Sequence, residues 1–182
     1  METKEFTITA FSENSIGLLN RITIIFTRRH LNIDSLAVSE SALKGIYKFT
    51  IVVKTTQELI EKVVKQIDKV VDVLRTYYLT SDDIIYQEIA LYKVPTEALT
   101  HSTEIEGLIR KHNARILEVT DIYTVIEKTG HKDETQDLFD AMNKFHVLQF
   151  TRSGRIAVTK AKRERLSEYL KKLDTEKRMV EI

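Results

Sequence analysis

Polar and apolar side chains alternate one by one over residues 5–11, the period of a strand with two unlike faces. After a polar turn at residues 12–16, Leu18, Leu19, Ile22, Ile25 and Phe26 recur at helical spacing along residues 17–29. Two strands are predicted over 33–39 and 46–54, and Lys44-Gly45 between them predicts a hairpin. Residues 56–69 form a second amphipathic pattern, with Leu59, Ile60, Val63, Val64 and Ile67 inward. Residues 70–79 are rich in β-branched and aromatic side chains and predict a closing strand. The order is βαββαβ.

The same order returns further along. Residues 84–94 are β-like and closed by Pro95, 104–112 read as a helix, and 115–120 and 122–128 as two strands. Leu138, Phe139 and Met142 mark a helix over 133–144, followed by a strand at 146–151 and a turn at Arg152-Ser153-Gly154. The repeat predicts an α+β protein of two tandem ferredoxin-like βαββαβ domains, residues 1–80 and 81–160, parted at the polar Ser81-Asp82-Asp83. Residues 161–182 interleave basic and acidic side chains around Leu166, Tyr169, Leu170 and Leu173, which predicts a charged helical tail. A four-stranded sheet with helices on one face needs cover for the other, and a homodimer, face to face or edge to edge, is the expected remedy.

Composition narrows the function classes. The chain has 182 residues, 42% hydrophobic, enough for a substantial core. Lys and Arg total 28 against 27 Asp and Glu, a net charge of +1 that gives no general drive toward nucleic acid or a membrane surface. The absence of Cys removes disulfides, thiolate metal sites and Cys nucleophiles and fits a cytoplasmic protein. The first residues lack a signal-peptide pattern, and no apolar run approaches the ~20 residues that span a bilayer. His30, His101, His112, His131 and His146 show no metal-ligand spacing, and nucleophile-elbow, dinucleotide and phosphate-loop motifs are missing. The expectation is a chain without catalytic residues, metal or cofactor of its own.

The informative stretch is Glu13-Asn14-Ser15-Ile16-Gly17-Leu18-Leu19, between the first strand and first helix. Gly17 allows a sharp turn and a close approach to a ligand. The helix it opens offers unpaired N–H groups and a positive dipole end to a carboxylate. Asn14 carries both donor and acceptor atoms, and Ile16 and Leu18 can rim an aliphatic side chain. That set suits a free amino acid, whereas an ordinary turn with a cap is the plainer alternative.

Together with Arg29-His30-Leu31-Asn32-Ile33-Asp34-Ser35-Leu36 and Lys69-Val70-Val71-Asp72-Val73-Leu74-Arg75, the loop resembles the small, regulatory subunit of acetohydroxyacid (acetolactate) synthase, whose first half is an ACT domain. The family patterns E-N-x-x-G-x-L-x-R, R-G-x-N-I-x-S-L and V-D-V-L fall on these segments. Gln87-Glu88-Ile89-Ala90-Leu91-Tyr92-Lys93-Val94, Ile116-Leu117-Glu118-Val119-Thr120, Tyr123-Thr124-Val125 and Thr151-Arg152-Ser153-Gly154 extend the likeness through the second half. The resemblance implies a non-catalytic subunit that activates a large catalytic subunit carrying thiamine diphosphate and magnesium. It also implies feedback inhibition by valine, bound where two ACT domains meet. By match the effector-binding residues are Asn14, Gly17 and Asn32, and the loop geometry adds the backbones of Ile16 and Leu18. His30 stands where the family has Gly, the hairpin at 40–45 lacks the usual Asp and Pro, and the tail is extended. An activator without valine sensitivity, or a DNA-binding regulator with tandem ACT domains, are the other readings.

Overall fold

A computed structural model of the chain describes residues 2–100 and 103–162. The expected tail at 161–182 falls almost wholly outside the described residues. The chain divides into two compact units, one running to Ile85 and taking up the chain again from Ala157, the other spanning Tyr86–Ile156.

In the first unit the elements are β1 (Lys4–Glu13), α1 (Leu18–Thr27), β2 (Ser35–Glu40), β3 (Ile46–Thr55), α2 (Gln57–Ile67) and β4 (Val73–Leu79). They build an antiparallel sheet in the order β2-β3-β1-β4. Register puts Phe6 opposite Val53, Ile8 opposite Ile51 and Ala10 opposite Phe49, a single apolar stripe. Helical spacing points Leu18, Ile22, Ile25 and Phe26 of α1 and Ile60, Val63, Val64 and Ile67 of α2 onto that stripe, and together they form the core. Thr56 caps α2 by accepting a hydrogen bond from the Leu59 amide. On the opposite face Thr7, Thr9 and Phe11 are also buried.

The second unit holds most of β5 (Ile84–Pro95), α3 (Glu97–Thr100), α4 (Thr103–Lys111), β6 (Arg115–Val119), β7 (Tyr123–Gly130), α5 (Lys132–Met142) and β8 (Gln149–Arg152). Its sheet runs β6-β7-β5-β8, the same order by position as in the first unit, and a short β9 (Ile156–Thr159) also pairs with β5. Ala90, Tyr92, Val94 and Ile126 of the sheet pack on Ile105, Ile109, Leu138 and Met142 of the helices. Both βαββαβ orders are present, so the chain has the α+β, tandem ferredoxin-like architecture.

Two strand starts differ from the sequence pattern for one reason. Residues 70–79 read as a strand, yet β4 begins at Val73 because Asp72 takes φ +75°. Residues 146–151 read as a strand, yet β8 begins at Gln149 because His146 takes φ +59°. Left-handed backbone cannot join a ladder, so each strand starts after it.

Candidate functional site

The Glu13–Leu18 connection is shaped by its backbone. Gly17 sits at φ +78°, caps α1 without any side-chain hydrogen bond, and leaves open space where a Cβ would stand. Leu18 N–H donates to the Ser15 carbonyl and Arg21 N–H to the Gly17 carbonyl. The Leu19 and Asn20 amides find no acceptor among the described residues, as the first turn of a helix requires. No acidic residue stands in the first turn of α1, so nothing in that turn neutralises its positive dipole end. In the second unit α4 carries Glu104 and Glu106 at the equivalent place, and that helix head is unsuited to an anion.

Beside this helix head lies a hollow of about 200 Å³. Ser12, Glu13, Asn14, Ser15, Gly17, Leu18 and Leu19 form one wall, and Val38, Tyr47 and Phe49 the other. Cross-strand register explains why residues so distant in sequence meet: Ser12 pairs with Tyr47, and Val38 with Phe49. The hollow is polar at the loop end and apolar over β2 and β3. Asn14 is exposed, and its amide makes no hydrogen bond to another described residue, so the simpler alternative of an Asn spent on capping the helix does not hold.

Of the residues marked in the sequence, Asn14, Gly17 and Leu18 come together on this wall. Ile16 belongs to the same loop, but its side chain is fully exposed and does not line the hollow. Asn32, exposed in the α1–β2 connection, is not among the lining residues either. Leu19, expected inward, is half-exposed at the mouth. Ser12, Val38, Tyr47 and Phe49 were not singled out, because register rather than local pattern brings them in.

An ion pair braces the loop. Arg21 Nη2 donates to Asp72 Oδ2 at 2.8 Å and to Ser15 Oγ at 3.3 Å, while the Glu13 amide donates to the Asp72 carbonyl at 3.0 Å. Both ends of the loop are thereby tied to the entrance of β4. The Arg21 guanidinium, and then the Ser15 hydroxyl, hold the Asp72 carboxyl below the usual carboxylate range. The last residue of E-N-x-x-G-x-L-x-R and the Asp of V-D-V-L are therefore partners in space.

The turn after α1 also keeps its shape despite its substitution. His30 takes φ +53°, its amide reaches the Thr27 carbonyl and the Leu31 amide reaches the Phe26 carbonyl. These are the two bonds of a Schellman closure, formed here without glycine. Among the described residues, no cluster of three His, Asp or Glu is placed to hold a metal, and no helix is long and apolar enough to cross a membrane.

Comparison with known proteins gives this geometry a family. Residues 8–75 match the family model described as the AHAS small subunit-like ACT domain, and residues 87–161 that of the small subunit of acetolactate synthase. The chain is 32% identical over 161 residues to the acetolactate synthase small subunit of Bacillus subtilis, covering 88% of this chain and 93% of that protein. The corresponding protein of Mycobacterium leprae is 31% identical over 157 residues, covering 86% and 92%. The crystal structure of the acetolactate synthase small subunit from Thermotoga maritima superposes with a TM-score of 0.79 at 25% identity, over 88% of this chain and 99% of that one. The fold, both halves of the sequence and the relatives agree: the chain belongs to the family of acetolactate synthase small subunits.

Proposed function

We propose that the chain is the non-catalytic, regulatory subunit of acetolactate synthase, and that the hollow at the head of α1 receives valine as a feedback effector. The observation that carries the reading is a pair of unpaired helix-head amides, at Leu19 and Asn20, beside the free Asn14 amide, over an apolar bed of Val38 and Phe49. The amides suit a carboxylate, the bed suits an aliphatic side chain, and about 200 Å³ suits a small amino acid. Gly17 and the backbones of Ile16 and Leu18 form the turn around the carboxylate. Asn32 reaches the effector only if a second copy brings it there.

A homodimer fits the edge of the first sheet. β2 is one of its two edge strands, and exposed Val38 with exposed Leu19 and Ile24 of α1 forms an apolar margin beside the hollow. In this reading two chains pair along that margin, the pair holds and activates the large subunit, and valine biases the pair between two states. The chemistry, with thiamine diphosphate and magnesium, belongs to the large subunit.

Calorimetry on the purified full chain tests the sensor role. Valine is expected to give saturable heat that Asn14→Ala abolishes, and silence with valine, leucine and isoleucine alike would end it. Mixing the chain with the large subunit tests the rest. The synthase rate should rise on addition and fall again with valine, whereas a rise indifferent to valine would leave an activator only.

A further inference from the structure

Ser12, at the end of β1, lines the hollow and is 0% exposed. Its Oγ is buried without a hydrogen-bond partner. A buried hydroxyl is costly to leave without a partner, so a ligand entering the hollow would gain by completing its bonding.

The division of donors and acceptors says which end of a zwitterion it serves. The helix-head amides are donors only and take the carboxylate. Acceptors among the lining residues at the loop end include Ser12 Oγ, the Asn14 side-chain oxygen and the Glu13 carboxylate. Glu13 repels a carboxylate and attracts a cation. We infer that Ser12 is a specificity residue of the effector site, accepting a hydrogen bond from the α-ammonium group, and that the site thereby requires an amino acid rather than a 2-oxo or 2-hydroxy acid of the same skeleton. To do so the hydroxyl has to turn about χ1 toward the hollow, and that turn breaks no existing hydrogen bond because none is made. The inference rests on the reading of the hollow as an amino-acid site.

The test is calorimetry on the full chain with L-valine and with 3-methyl-2-oxobutanoate, its deaminated counterpart. Wild type should bind valine and discriminate strongly against the oxo acid. Ser12→Ala should weaken valine about tenfold while leaving the oxo acid unchanged, so the ratio between them shrinks. Ser12→Thr, which keeps a hydroxyl, should recover most of the valine affinity. The melting temperature of ligand-free Ser12→Ala should equal or exceed that of wild type, since the lost group had no partner; a merely structural serine would lower it. If Ser12→Ala binds valine as wild type does, or loses both ligands equally, the assignment of Ser12 is wrong while the sensor reading survives. If wild type binds no branched-chain amino acid, both fall together.

Discussion

Two residues show how much of this site is backbone conformation. Gly17 has no neighbour within 4 Å of a would-be Cβ, so replacing it with Ala meets strain rather than collision. At φ +78° that strain is about 1 kcal/mol. Gly17→Ala is expected to lower stability by about that amount in urea unfolding and to weaken valine in calorimetry by shifting the turn. His30 is the converse case, a side chain holding a left-handed position at φ +53°. His30→Gly should raise the unfolding free energy by about 1 kcal/mol without loss of valine affinity; a destabilised variant would show that the imidazole has a stabilising contact of its own.

At the scale of elements, the two units repeat more than their strand order. His30 after α1 and Asn113 after α4 both have φ near +50°, and the Ala114 amide reaches the Ile109 carbonyl as Leu31 reaches Phe26. Asp72 after α2 and His146 after α5 form the second matching pair of left-handed residues. Asp72 does more than turn the chain, because its carboxylate carries the brace to Arg21. Its folded-state pKa is depressed, so the brace is fully formed above the ordinary carboxylate pKa and fades as the pH falls through the lowered value. Asp72→Asn keeps a residue that tolerates the left-handed backbone and removes only the charge. The wild-type melting temperature should exceed the variant's at neutral pH, and the two should converge in acid below about pH 4; curves parallel at every pH would exclude the brace as a source of stability. In the second unit, burial pushes the Tyr92 hydroxyl up to about 12, and it donates to the Thr135 carbonyl at 2.6 Å. Tyr92→Phe should cost about 1 kcal/mol in urea unfolding, with valine binding unchanged.

Over the whole molecule, most elements were legible because a strand or helix with one buried face writes its period into the chain. The core stripes of β1, α1 and α2 fall where alternation and helical spacing put them. β9 was not legible: Ile156–Thr159 is four residues with no fully buried position, too short to show a period. The site divides the same way. Asn14, Gly17 and Leu18 lie in one contiguous loop and could be read directly. Ser12 against Tyr47 and Val38 against Phe49 follow from pairing register, and Arg21 against Asp72 from a contact 51 residues apart, neither of which a linear pattern encodes.

Val38 occupies the rim strand with 42% of its surface bare, and the same side chain is a wall of the hollow. On the proposed function, one contact answers to two equilibria. If a second chain settles on the rim, it also dries the bed beneath the effector, and by reciprocity the effector strengthens the pairing by the same factor. Dilution of the protein would then loosen its hold on valine, so that responsiveness becomes a function of how much of the subunit is present as well as how much amino acid there is.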